Sequence, residues 1–226
     1  MNPRLNLFSF ALSAVLGCVA STSNAQETDP HGLGLPLVFT EDFAKGADKW
    51  ETTDANAWRL AEDNGNPVFG LKQRKSDYQP VHRSPLNIAL IKGVELEDFV
   101  LTYRVKSTKD TGNHRDCCTF FCHQDATHFY YVHMGARPDP HSGQIMIVND
   151  APRKAITENE KRVPWDDDWH TIKLVRDSSR GSIEIYFDDM KTPHMSAKDK
   201  TFGRGRIGIG SFDDMNDFDD IKLWGK

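Results

Sequence analysis

Apolar and polar positions alternate with a period of two along most of the chain after residue 36. The cleanest run is Glu97–Lys106, where Phe99, Leu101, Tyr103 and Val105 fall on one side and Val100, Thr102, Arg104 and Lys106 on the other. Such alternation is the signature of a half-buried strand. Trp169–Arg176 and Ser182–Phe187 repeat the pattern around a turn at 177–181, which predicts a hairpin. Shorter strands are predicted at 37–39, 57–60, 68–72, 87–91, 144–148, 203–211 and 218–224. Gly, Pro, Asn and Asp punctuate them, most clearly at Asp63-Asn64-Gly65-Asn66-Pro67, and 73–85 and 137–143 read as loops. A helical turn is the most that 155–161 suggests. With about a dozen short strands and no βαβ alternation, the expected fold is all-β, an antiparallel β-sandwich.

The densest chemistry lies in Asn113–Met134, which holds four of the nine histidines and three of the four cysteines. It reads as two adjacent strands, Cys117–His123 and His128–Met134, joined at 124–127. Strand parity places Thr119, Phe121 and His123 on one face and Cys118, Phe120 and Cys122 on the other. The cysteine-bearing face suits a core, which aims Phe121 and His123 at a groove. On the second strand Phe129, Tyr131 and His133 share a face. A zinc set of His114, Cys117, Cys122 and His123 is disfavoured, because Cys122 and His123 point to opposite sides and no Cys-x-x-Cys pair occurs.

The chain's start changes the picture. Leu5–Ala20 is apolar, Arg4 is the only early charge, and Ser23-Asn24-Ala25 makes a small-x-small cleavage site, so 1–25 is expected to be a signal peptide of an exported protein. Val15-Leu16-Gly17-Cys18 also resembles a lipobox, which offers lipidation at Cys18 as the competing route. Residues 26–36 lack periodicity and read as an N-terminal tail, leaving 37–226 as a single domain. Removing the signal leaves 27 basic against 33 acidic residues, a net charge of −6, with no basic stripe. Nucleic acid is therefore not an expected partner, no membrane span is expected, and the chain is expected to be a monomer. Cys117, Cys118 and Cys122 are too close together for a disulfide framework and are expected to be buried thiols.

Three segments carry a resemblance: LVFTEDF followed by a Trp, WDDDWHTIKLVRDSSRGSIEIYFDD, and GRIGIGSFDD with FDDIKLW. Over 39–224 the chain resembles the concanavalin A-like lectin/glucanase superfamily, which includes laminin G-like modules and 3-keto-disaccharide-hydrolase-like domains. The resemblance implies a jelly roll whose first and last strands pair and whose concave face takes a glycan. It also implies that Asp42 and Asp219 could meet, where some relatives place calcium; two carboxylates fall short of the six to eight oxygens calcium takes. The glucanase strand Glu-x-Asp-x-Glu is missing, so a mechanism of that type is not expected.

The expected partner is an extracellular polysaccharide or oligosaccharide. His123, His133 and Tyr131 are the candidate catalytic groups, since a base must titrate near working pH. His82, Arg83, Arg104, His114, Arg115, Phe121, Gln124 and Arg137 are the candidate substrate contacts. Three functions fit: a glycosidase similar to 3-keto-disaccharide hydrolases, a polysaccharide lyase with a His or Tyr base acting on a uronate, and a non-catalytic laminin G-like module.

Overall fold

The computed structural model describes residues 27–212 and 214–226; the expected signal peptide and Cys18 lie outside them. The first third of the fold contains β1 (Leu37–Glu41), β2 (Trp50–Thr52), β3 (Trp58–Asp63), β4 (Asn66–Leu71) and β5 (Asn87–Leu96). The middle contains β6 (Phe99–Ser107), β7 (Cys118–Asp125), β8 (His128–His133), β9 (Gln144–Asn149) and β10 (Lys154–Ala155). The chain closes with β11 (His170–Asp177), β12 (Ser182–Phe187), β13 (Met195–Lys198), β14 (Gly205–Ser211) and β15 (Asn216–Gly225). Among the described residues, only two short 3-10 turns, Ala55–Ala57 and Gly112–His114, interrupt the strands.

The strands form two antiparallel sheets. One runs β13-β12-β11-β6-β15-β4-β3 with β1 also on β15, and the other runs β10-β9-β8-β7-β14-β5-β2. The first and last strands pair, Phe39 opposite Leu223 and Glu41 opposite Ile221. The alternation of β6 appears as expected: Phe99, Leu101, Tyr103 and Val105 enter the core between the sheets, together with Ile172, Leu174, Ile183 and Ile185 from the predicted hairpin. No helical turn forms at 155–161. Lys154–Ala155 extends a sheet edge, and Thr157 bridges to Ala197.

Two further apolar layers lie outside the central core. On the β6–β11–β15 sheet, Val100, Val175, Tyr186 and Trp224 face outward and are covered by Leu35. Residues 27–36 are therefore not a loose tail. The Asp29 carboxylate accepts N–H bonds from His31 (3.1 Å), Leu33 (3.0 Å) and Leu35 (2.9 Å), and Trp224 Nε1 donates to the Glu27 carbonyl. On the other sheet, Ile88, Leu90, Cys118, Phe120, Phe129, Tyr131, Met146 and Val148 form an outward-facing layer, with Tyr78, Ala155 and Phe212 packed over it. Covering both outer faces lets this sandwich bury large rings on three levels, each contributing roughly 2–3 kcal/mol.

Candidate functional site

The site is set by a bulge in β7. Up to Phe121 the strand has the opposite parity to the one expected. Thr119 and Phe121 point into the core, where Tyr103 Oη lies 2.7 Å from Thr119 Oγ1 and Phe121 stacks on Tyr130 at 5.3 Å. Cys118 and Phe120 belong to the outward layer. At Cys122 the backbone enters the left-handed region (φ 47°), and the register with β8 slips between Phe121 and Asp125. The extra residue turns Cys122 into the core and leaves His123 on the outer face, stacked on Phe129 at 5.0 Å. Phe121 is thus a core residue rather than a groove contact. Cys117, Cys118 and Cys122 are buried and form no disulfide; burial pushes the Cys122 thiol up to about 12.

His123, Tyr131 and His133 therefore share one face, but they do not converge. In the β7–β8 ladder Cys118 opposes His133 and Phe120 opposes Tyr131, whereas Arg206 opposes His123 on the other neighbour. His123 is five positions beyond Cys118, about 17 Å along a strand. His133 and Tyr131 lie toward one end of the face and His123 toward the other. Burial, aided by the Arg206 charge, lowers the His123 pKa to about 4, so it is a neutral imidazole at physiological pH.

The His133 end opens into a cleft of about 310 Å³. Its walls come from the β6–β7 connection (His114, Arg115, Asp116), the β8–β9 loop (Arg137, Asp139, His141), and Arg83, Arg153 and Phe212. The floor is a connected polar network. His133 Nδ1 donates to the His141 carbonyl at 2.9 Å, and its Nε2 lies 3.1 Å from Asp116 Oδ2. Asp116 Oδ1 accepts from Ser211 Oγ (2.7 Å) and the Phe212 N–H (3.1 Å). Since Nδ1 must carry a proton to meet a carbonyl, His133 and Asp116 hold a further proton between Nε2 and Oδ2. Both are almost fully excluded from solvent, at 3% and 1% exposure, so this pair is a single buried unit and not a free base.

One wall of the cleft is a stack. The Phe212 ring lies 5.5 Å from the His133 ring at 19°, and the Arg153 and Arg83 guanidinium groups sit 4.4 and 5.8 Å from its centroid. Among the described residues, two buried Arg153 donors, Nε and Nη1, have no hydrogen-bond partner, nor does the Tyr131 hydroxyl, whose residue is fully buried. Burial pushes the Tyr131 phenol well up, against the pull of Arg153 and Arg83 and with a push from Cys118 and Asp116. Unpaired buried donors cost about 1–3 kcal/mol each unless something accepts from them.

Of the other candidates, Arg83, His114, Arg115 and Arg137 join His133 at the cleft. Arg115 is already spoken for, paired with Asp167 and 3.5 Å from Asp110. His82 sits in the 73–85 segment beside Arg83 without lining the cleft. Gln124 is exposed at the far end of β7, its amide 3.4 Å from the Arg204 carbonyl. Arg104 is on the opposite sheet, 4.9 Å over the Trp169 ring. Asp42 and Asp219 are not brought together: Asp42 shares a depression with Asp220, Lys45, Lys49 and Lys222. The bulge at Asp220 (φ 50°) turns Asp219 inward, where Asn66 Nδ2 donates to it at 2.7 Å. Arg153, Phe212 and Asp116 are the contributions that sequence reasoning did not select. Arg153 has no local signal at all, whereas Phe212 stands inside the closing GSFDD motif.

No protein-family model matches the sequence, and no curated protein matches it by sequence. Solved structures do. The chain superposes on the carbohydrate-binding module CBM66 from Bacillus subtilis with a TM-score of 0.56 at 18% identity, covering 78% of this chain and 96% of that one. A Bacillus subtilis protein of unknown function with a galectin-like fold gives 0.53 at 10% identity, over 83% and 95%. Lectin I-B4 from Griffonia simplicifolia in its metal-free form gives 0.50 at 13% identity, over 82% and 97%. At these identities the likeness is one of fold.

Proposed function

Starting from a jelly roll of the concanavalin A-like lectin/glucanase superfamily, we propose that this chain is an exported module that binds an acidic saccharide in the cleft between His133 and Phe212. The observation that carries the reading is the Arg153–Phe212 wall. A flat ring offers a stacking surface for a pyranose, and Arg153 offers two buried, unanswered donors beside it. Four arginines line the cleft against two aspartates, a basic spot on a chain of net charge −5. A uronate carboxylate or a sulfate ester offers negative charge and paired acceptor oxygens that match a guanidinium edge, whereas a neutral hydroxyl accepts through a single uncharged oxygen. Among the described residues no helix is long and apolar enough to cross a membrane.

A lyase is the second reading, favoured by the Tyr131 hydroxyl, which feels the charges of Arg153 and Arg83. In such a reaction a tyrosine removes the proton next to a uronate carboxyl while arginines neutralise the acid. The burial that keeps Tyr131 protonated works against it. A hydrolase is supported less, because the two cleft carboxylates are both engaged, Asp116 with His133 and Asp139 with the His141 N–H.

A panel of uronate-containing, sulfated and neutral polysaccharides, read by affinity electrophoresis and calorimetry, tests the proposal. Acidic glycans should bind and neutral ones should not. Arg153→Gln should weaken binding about tenfold or more, equivalent to about 1.4 kcal/mol. Equal retention of neutral glycans, or an unaffected Arg153→Gln variant, would refute it. Low-ultraviolet absorbance on the same mixtures separates a lyase, which makes unsaturated ends, from a binding module.

A further inference from the structure

Beneath the cleft floor, Asp116, Cys118 and His133 bring a carboxylate oxygen, a thiol sulfur and an imidazole nitrogen within 4.8 Å of one another, and all three residues are buried. The arrangement follows from sheet geometry. Cys118 opposes His133 across the β7–β8 ladder. Asp116, two positions before Cys118, is brought to the same side of the strand. We propose that these three residues form a binding site for a zinc-class divalent cation with an open fourth position.

The donor types suit that ion: thiolate, imidazole and carboxylate are the ligands zinc takes, and three protein ligands leave a position for water or substrate. Bond lengths of about 2.0–2.3 Å place tetrahedral ligand atoms about 3.3–3.8 Å apart, so closing this group needs side-chain shifts on the order of 1 Å. The supporting groups are those of a ligand set. His133 Nδ1 donates to the His141 carbonyl, which turns Nε2 toward Asp116 and fixes the tautomer a metal needs. Ser211 Oγ and the Phe212 N–H hold Asp116 Oδ1, so Oδ2 is the oxygen directed at His133. An independent sign is Tyr131. Its fully buried hydroxyl, on the same face two residues before His133, has no partner among the described residues and is close enough to feel the charges of both Asp116 and Cys118. A cation's bound water, or the cation itself, would answer that orphan group. Uptake of the ion would release the proton held between His133 and Asp116 and that of the Cys118 thiol.

The site is independent of the saccharide reading, because its test reads metal and not glycan. The mature wild-type protein is stripped with chelator, dialysed, and titrated with cobalt(II) and zinc(II). One equivalent of cobalt should bind, with the visible bands of a tetrahedral centre and a near-ultraviolet thiolate-to-cobalt band. Cys118→Ser should lose the thiolate band and bind at least tenfold more weakly, while its circular dichroism reports whether the sandwich is intact. X-ray absorption of the zinc-loaded wild type should show one sulfur among nitrogen and oxygen neighbours, which keeps the test valid if the variant does not fold. Binding well below one equivalent, a thiolate band that survives in a folded Cys118→Ser, or a zinc shell without sulfur would each overturn the site.

Discussion

At the scale of single residues, His123 gives the most direct pH prediction. Its folded pKa, about 4, lies below the ordinary value of 6.5, so the unfolded chain binds a proton that the folded chain refuses. Stability is then full above about pH 6.5 and declines as pH falls toward 4, by up to roughly 3 kcal/mol. Arg206, Asp125 and Glu51 are the charges that act on the ring. His123→Phe should keep the stack on Phe129 and flatten this acid limb, as measured by urea unfolding at pH 7 and 4.5; a limb of unchanged depth would show that another group carries it. His133 and Asp116 behave as one buried unit, and removing one partner leaves the other stranded. Asp116→Asn should cost the metal-free protein about 3 kcal/mol, whereas substitution of exposed Gln124 should cost almost nothing.

Among the elements, β7 is decided by its bulge. Gly205 on β14 passes so near it that a Cβ would lie 2.4 Å from the Cys122 carbonyl carbon and 2.6 Å from the His123 nitrogen. These are backbone atoms and cannot rotate away. Gly205→Ala should therefore destabilise by about 2 kcal/mol or more, visible in thermal melts, and should alter amide exchange at Cys122 and His123 first. The 27–36 leader is an element of the same weight. Burial works to raise the Asp29 pKa, but N–H donors from Leu33, Leu35, His31 and Gly32 outweigh it and hold the carboxyl below its usual range. A lowered carboxylate contributes stability above about pH 4 and loses it as pH falls through the folded value. Asp29→Ala should thus cost about 1–2 kcal/mol at neutral pH, with the wild type and variant converging in acid.

For the whole molecule, the two covered outer faces distinguish this sandwich from one with a single core. Deleting 27–36 would uncover Val100, Val175, Tyr186 and Trp224 in one patch. The truncated chain should melt lower and self-associate, which light scattering after gel filtration would detect; a monodisperse, equally stable truncation would show the leader to be dispensable. On the other sheet, Tyr78, Ala155 and Phe212 pack over the outer layer, and the cleft opens at its His133 end.

What was legible in the sequence follows from period-two alternation and turn chemistry, which are local. They determined the β6 faces and the β11–β12 hairpin, while the pairing of the first and last strands came from the family resemblance. The clustering of histidines drew attention to a stretch that supplies His114, Arg115, Asp116 and His133 to the cleft. Parity along β7 was not legible, because one bulged residue inverts every inference drawn across it. Nor was the convergence of Asp116, His133, Arg153 and Phe212, which are distant in sequence and meet only through strand pairing and loop closure. The sequence alone determined the class of fold and singled out one stretch, 113–134, as the candidate for chemistry. Only the tertiary structure decided which side chains share a cleft, because that depends on register, and register is a property of two strands and not of one.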